Sequence, residues 1–338
     1  MTGRPGRIAA WAGGLALACA AHAQGPLPNA APRLQPDAAR LHYDLQPRAL
    51  ARGTWVIEGA VDDFSRANGC NIINTAFIAT GAGVVVINTG PSRLYGEQQR
   101  RAVAATVREP VVSVLSLNLH PDYFFGHQAW ADVPTEALPG SIAGMQAEGR
   151  AYADNLYRLC GDWMKGTEST PSRQPVVLEA GTQTRRLGGH TLELHRLRGH
   201  TDDDLVVIDT TTGVLYAGGL VFADRVPTTP HADFDAWLAS LDQLARWHAA
   251  GRFHTVVPSH GPVHSGLAGI EQTRDWLRWL TGLMREQAER GTDLAELLRT
   301  PVPPRFARWA AQPAELHRTL TQWYPRYELR ALSAPASR

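Results

Sequence analysis

The sequence has no excess of charge of either sign and almost no lysine. Its 338 residues include 33 lysines and arginines against 32 aspartates and glutamates, which gives a net charge of +1. Lys165 is the only lysine, and the arginines are spread along the chain. Nucleic-acid binding depends on clustered positive charge that displaces counterions from phosphates. The composition therefore argues against a nucleic-acid-binding protein.

Long hydrophobic runs are also absent, except at the N-terminus. Arg4 and Arg7 precede an uncharged, mostly apolar stretch, and Ala21-His22-Ala23 offers small residues around a cleavage point. This pattern predicts a secretory signal peptide over residues 1–23, with a buried N-terminal helix as the alternative. No other segment is long enough to span a bilayer. We therefore expect a periplasmic or secreted protein whose mature chain has no membrane span.

Cysteine is scarce, and the chain has three of these residues. Cys19 falls within the predicted signal peptide, which leaves Cys70 and Cys160 in the mature protein. An even pair of cysteines in an oxidising compartment predicts one disulfide. The alternative is two unrelated buried thiols.

Strand patterns alternate with helix patterns through most of the chain. A Pro- and Ala-rich arm over residues 24–50 precedes an α/β body over residues 51–265. A helical C-terminal extension over residues 266–338 follows, because apolar residues there recur at helical spacing. The sequence pattern of residues 128–173 predicts an irregular region of helix and loop. The fold class is therefore α/β with a helical extension.

Polar side chains cluster where predicted strands end. Asn118, His120 and Asp122 stand at alternate positions directly after a strand, so their side chains point the same way in an extended chain. A lone His-x-Asp is more often a loop pair than a metal site. Here, however, His200 and His260 also follow strands, and loops at strand ends are where active sites of α/β proteins gather.

This ordered set resembles the metallo-β-lactamase superfamily over about residues 54–266. The resemblance implies a four-layer αββα sandwich with metal-binding loops at the strand ends. Four segments further resemble the SoxH-related branch called quinoprotein relay system zinc metallohydrolases. They are Asn68-Gly69-Cys70-Asn71-Ile72-Ile73-Asn74-Thr75, Asn88-Thr89-Gly90-Pro91-Ser92, Asn118-Leu119-His120-Pro121-Asp122-Tyr123-Phe124-Phe125-Gly126 and Gly218-Gly219-Leu220-Val221-Phe222. That branch implies a partner such as a quinoprotein dehydrogenase or a c-type cytochrome.

The chain departs from the superfamily pattern at several metal positions. Asn88 stands where the first motif ends in aspartate, and Asn118 and Tyr123 replace two histidines of the His-x-His-x-Asp-His loop. Gly219 stands where a bridging aspartate usually lies. His231 and Asp224 are the candidate substitutes for that aspartate.

The resemblance then implies a single zinc ion, with two ions less favoured. Its ligands would be His120, Asp122, His200 and His260, because neither half of a two-metal site keeps the three ligands of a catalytic zinc. Asp122 would act as a ligand or as a general base, and Tyr123 would stabilise an oxyanion unless it is a packed aromatic.

Two functions remain open from the sequence. One is a zinc-dependent hydrolase of a small ester, thioester or related substrate, in which zinc generates hydroxide near neutral pH. The other is a non-catalytic binding or assembly factor with a degenerate metal site. We do not expect antibiotic hydrolysis, because a shared fold does not imply a shared substrate.

Overall fold

The computed structural model describes residues 1–2 and 35–333. The predicted signal peptide and the first part of the predicted arm, as far as residue 34, lie outside the described residues apart from Met1 and Thr2. No helix within the described part is long and apolar enough to cross a membrane. The domain boundary at Gly266 stays a prediction.

Thirteen strands of the described chain form two sheets. The first sheet has the order β1-β2-β3-β4-β5-β6-β7, and the second has the order β13-β12-β11-β10-β9-β8. Strands β4 to β7 pair in parallel, as do β11 and β12, and all other neighbours are antiparallel. The strands are β1 Arg48–Ala51, β2 Thr54–Ile57, β3 Thr75–Ala79, β4 Val84–Ile87, β5 Val111–Leu115, β6 Thr135–Ala137, β7 Gln174–Pro175, β8 Thr182–Leu187, β9 His190–Leu197, β10 Asp204–Asp209, β11 Val214–Tyr216, β12 Thr255–Val257 and β13 His264–Ser265.

Seven α-helices of the described chain cover the sheets or join their strands. They are α1 Arg93–Thr106, α2 Pro121–Phe124, α3 Pro139–Cys160, α4 Phe234–Ala249, α5 Ala268–Glu289, α6 Leu294–Leu297 and α7 Ala314–Ser333. Short 3-10 helices occupy Phe125–Trp130, Gly161–Met164 and Gly218–Leu220.

The four layers follow from the two-residue period of the strands. In β10, Leu205 and Val207 pack in the core between the two sheets, whereas Val206 and Ile208 pack under α4 and α5. Successive side chains of a strand point to opposite faces, so a strand that is apolar on both faces must be covered on both. The first sheet is covered in the same way by α1, where Val103 packs against Phe77. This arrangement confirms the predicted αββα sandwich.

Helix α3 is longer and more regular than the sequence predicts. Its glycines disfavour a helix, but tertiary packing needs them. A Cβ at Gly144 would lie 2.9 Å from Leu119, and a Cβ at Gly149 would lie 1.9 Å from Ser169 Oγ. Gly144 lets α3 approach the loop that carries His120, and Gly149 lets it approach the segment that carries Ser169.

The predicted disulfide is present between Cys70 and Cys160, whose Cα atoms lie 5.9 Å apart. It joins the loop after β2 to the last residue of α3. Both cysteines are buried in the core cluster that also contains Trp163 and Met164.

Removal of this disulfide should destabilise the protein. Replacing Cys70 and Cys160 together by serine should lower the free energy of unfolding by about 2–4 kcal/mol, because the unfolded chain regains the entropy of a long open loop. Urea unfolding of both proteins measures the difference. Reduced wild type should match the double variant. An unchanged unfolding midpoint after reduction would contradict the prediction.

Candidate functional site

The predicted site residues come from three loops at one end of the sandwich. His120 directly precedes α2, after β5 of the first sheet. His200 lies between β9 and β10, and His260 lies between β12 and β13, both in the second sheet. Asp122 lies in the first turn of α2. All four side chains are buried.

A buried amide and carboxylate hold the His120 and His200 loops together. Asn118 Nδ2 donates to Asp204 Oδ1 at 2.7 Å, and Asn118 Oδ1 accepts from the backbone N–H of His120 at 3.0 Å. Asp204 Oδ2 accepts from the backbone N–H groups of His200 and Thr201, each at 3.0 Å. Burial raises the pKa of Asp204 to about 7, although these hydrogen bonds act in the opposite direction. From the sequence, Asp202, Asp203 and Asp204 predict a solvated turn in which one carboxylate could hydrogen-bond His200, and in the structure that carboxylate is the buried Asp204.

The His260 loop is held from the first sheet in the same manner. Asn74 Nδ2 donates to the carbonyl oxygens of Pro258 and Gly261 at 3.0 and 2.8 Å. His260 Nδ1 donates to the carbonyl oxygen of Ile72 at 2.7 Å, which leaves Nε2 as the free nitrogen of a neutral ring. That Nε2 lies 3.4 Å from Asp122 Oδ2.

His200 occupies the space left by the missing aspartate. A Cβ built on Gly219 would lie 1.9 Å from His200 Nδ1, so no larger residue fits beside this ring. Asn118 Nδ2 lies 3.3 Å from the same Nδ1 and offers it a hydrogen. The other ring nitrogen of His200, Nε2, lies 3.3 Å from Thr228 Oγ1.

His120 pairs with His231 across the site. Its Nε2 lies 3.0 Å from His231 Nδ1, so one ring donates and the other accepts. The rings of His120 and His200 have centroids 4.7 Å apart. Burial lowers the pKa of His120, and neighbouring His200 and His231 lower it further when charged, so the buried ring is neutral. Burial also lowers the pKa of His200 and His260 well below the usual value.

The predicted zinc ligands do not form a complete metal site. A histidine ligand must turn an unprotonated nitrogen toward the metal, and zinc sites supply three or four protein ligands. His200 contacts Asn118 through Nδ1 and Thr228 through Nε2, and His120 Nε2 is hydrogen-bonded to His231, whereas His260 Nε2 faces Asp122. Across the described residues, no three histidine, cysteine or acidic side chains are placed to hold one ion.

The other predicted site residues, Tyr123 and Asp224, take part in core packing and in surface hydrogen bonding. Tyr123 is fully buried in the core between the sheets and does not line the cavity described below, as its packed-aromatic alternative predicts. Asp224 is exposed, and its carboxylate accepts a hydrogen bond from Gln272 of α5 at 3.1 Å. Of the two candidate substitutes for the bridging aspartate, only His231 contacts a predicted ligand.

A cavity of about 130 Å³ opens beside these side chains. Its walls are mainly apolar, and its polar groups come from the predicted site, from α3 and from Thr228. The lining residues are Phe64, Ile72, His120, Pro121, Asp122, Tyr152, Asn155, Leu156, Thr228, Pro230 and His260. Burial raises the pKa of Asp122 to about 7, against the opposing effect of Arg225. A small, mostly apolar pocket with a few convergent polar groups is typical of small-molecule sites.

Solved structures with the same fold are metallo-β-lactamases. One from Pontibacter korlensis is 21% identical, with a TM-score of 0.55, and the match covers 69% of this chain and 99% of that chain. FIM-1 from Pseudomonas aeruginosa, in its mono-zinc form, is 18% identical with a TM-score of 0.56, covering 70% and 95%. The enzyme from Erythrobacter litoralis is 21% identical with a TM-score of 0.54, covering 70% and 96%.

The chain has the metallo-β-lactamase fold. Identities of this size establish the fold and leave the activity open. No family model matches the chain, and no curated protein matches it in sequence.

Substitution of Gly219 tests where His200 lies. Gly219→Ala should destabilise the protein by about 1–3 kcal/mol, because the new methyl group overlaps the buried imidazole. Gly282→Ala is the control, since a Cβ there meets nothing within 4 Å and alanine favours a helix. Urea unfolding should therefore move in opposite directions for the two variants. Equal stability of wild type and Gly219→Ala would contradict the observed position of His200.

Acid should destabilise the fold through His127, which lies beneath the site. Its ring is buried between Ser116 Oγ and the carbonyl oxygen of Thr170, and burial lowers its pKa to about 4. The unfolded chain takes up a proton near pH 6.5 and the folded protein does not, so stability falls as pH drops from 6.5 toward 4. Between pH 7.5 and 5, this residue should account for about 2 kcal/mol. Urea unfolding of His127→Gln should show a smaller loss by that amount, and an identical loss would refute the assignment.

Proposed function

We propose that this chain is a small-molecule binding protein with the metallo-β-lactamase fold and a degenerate metal site. The proposal rests on the position of His200. Its ring fills the space beside Gly219, and its Nε2 faces Thr228. With His120 engaged by His231, two potential ligands remain where a catalytic zinc requires three. The apolar cavity beside them is suited to bind an organic ligand without a resident metal.

A zinc-dependent hydrolase is the second candidate, and one observation favours it. His260 is oriented as metal-bound histidines usually are, with Nδ1 donating to a carbonyl and Nε2 free. That Nε2 and the Asp122 carboxylate, 3.4 Å apart, are both acceptors when Asp122 is ionised. A proton on Asp122 satisfies the pair, and so would a cation between them. The substrate on this proposal is a small ester, thioester or related molecule.

The location and partner are also proposals. The signal pattern within residues 1–23 and the Cys70–Cys160 disulfide support a periplasmic location. The motif resemblance stated above is the support for a quinoprotein dehydrogenase or c-type cytochrome partner.

Elemental analysis separates the two functions. Wild-type protein produced with zinc in the medium and purified without chelator should carry much less than one zinc ion per chain. His260→Ala should carry no less than wild type. His254→Ala removes an exposed histidine and controls for adventitious binding. A panel of ester and thioester substrates should show no turnover above the uncatalysed rate.

The opposite result would favour the hydrolase. One zinc per chain in wild type and in His254→Ala, lost in His260→Ala, would overturn the degenerate-site proposal. Turnover of an ester or thioester that falls with the same substitution would establish the second candidate.

A further inference from the structure

The cavity beside His260 continues toward the C-terminal helix. A second cavity of about 190 Å³ shares Phe64, Asn155, Thr228 and Pro230 with the first. Its far wall is formed by residues of α7, so the two cavities make one cleft with an inner and an outer end. The inner end carries the histidines described above, and the shared middle is lined largely by apolar atoms.

The outer end carries a group of four charged side chains. Arg318 of α7 is half exposed and contacts the carboxylates of Asp63 and Glu315, in the latter case at 3.4 Å. Asp63 Oδ1 also lies 3.7 Å from Nη2 of the fully buried Arg225. Asp63, Glu315 and Arg318 line the cavity, whereas Arg225 lies behind Asp63.

Within this group of charged side chains, the atom that lacks a hydrogen-bond partner is a donor and not an acceptor. Arg225 donates through Nε to the carbonyl oxygen of Asp62 at 2.8 Å and through Nη1 to that of Val226 at 3.0 Å. Its buried Nη2 has no hydrogen-bond partner among the described residues and only the 3.7 Å ion pair with Asp63, and a buried charged donor without a hydrogen bond is costly. Both carboxylates are already engaged with Arg318. The group therefore lacks an acceptor, and an added carboxylate would supply one.

We propose that the outer end of the cleft is a carboxylate subsite and that the pocket takes a small unbranched monocarboxylate. The hydrocarbon chain of the ligand lies along the apolar middle of the cleft, and its carboxylate binds Arg318. Asp63, released by Arg318, moves onto the free Nη2 of Arg225. The number of ion pairs is unchanged, because Asp63 exchanges its contact with Arg318 for a hydrogen bond to a guanidinium that it already faces at 3.7 Å. This inference rests on the proposed small-molecule pocket and names its ligand class.

Isothermal titration of wild type with hexanoate and with its neutral amide, hexanamide, tests the ligand class. Hexanoate should bind roughly tenfold or more tightly than hexanamide, as expected for hydrogen bonds to a charged group. Arg318→Gln should bring hexanoate down to the level of hexanamide and leave hexanamide unchanged. Arg330→Gln removes an exposed arginine from the same helix away from the cleft and should change neither affinity.

Asp63→Asn tests the exchange of partners. The neutral amide that this substitution introduces no longer competes for Arg318, so hexanoate should bind as tightly as in wild type or more tightly. If the Asp63–Arg318 pair only stabilises the fold, hexanoate should bind more weakly in Asp63→Asn as well as in Arg318→Gln. Circular dichroism and thermal unfolding show that each variant is folded.

The remaining outcomes overturn the inference. Equal affinity for hexanoate and hexanamide, an unchanged hexanoate affinity in Arg318→Gln, or no binding of either probe would each exclude the carboxylate subsite. The zinc measurement tests the proposed function independently, because it measures the metal content of the protein and does not depend on the binding of hexanoate or hexanamide.

Discussion

The hydrogen bond from the Asn118 amide to the Asp204 carboxylate is the interaction on which the site depends. Asn118 follows a strand of the first sheet and Asp204 begins a strand of the second, so the bond crosses between the sheets. Asp204 in turn binds the backbone N–H groups of His200 and Thr201, and Asn118 binds that of His120. Losing one partner of a buried charged hydrogen bond leaves the other unsatisfied at a cost of about 1–3 kcal/mol. The positions of both histidine loops therefore follow from this one pair.

The same amide also contacts the His200 ring. Asn118 Nδ2 lies 3.3 Å from His200 Nδ1, and the opposite ring nitrogen, Nε2, lies 3.3 Å from Thr228 Oγ1. The absence of a side chain at Gly219 lets the His200 ring sit deep against the backbone. His200 is therefore fully buried and does not line the cavity beside His120 and His260.

The C-terminal helices belong to the architecture of the pocket as well as to the core. Trp276 and Leu280 of α5 pack in the same cluster as Ile208 of the second sheet, and Leu320 of α7 packs there too. This packing holds α7 against the cleft, where Arg318 and Glu315 form its outer wall. The disulfide acts on the opposite wall by tying the end of α3 to the loop that contains Asn68 and Gly69.

The layered arrangement was implied only by the resemblance to a known superfamily. The sequence by itself determined an α/β body with a helical extension, the strand-end positions of His120, His200 and His260, and the pairing of Cys70 with Cys160. Each of these can be predicted from the hydrophobic period of a segment, from the position of a residue after a strand or from the number of cysteines. Helix α3 was not recognised as one regular helix, because its glycines indicate breaks until packing against Leu119 and Ser169 explains them. Only the tertiary structure decided that His200 lies against Gly219 and Thr228, that His231 pairs with His120, and that Tyr123 points into the core. Those outcomes depend on which side chains from distant segments share a buried space and on which hydrogen bonds that space permits. No single segment of the sequence contains that information.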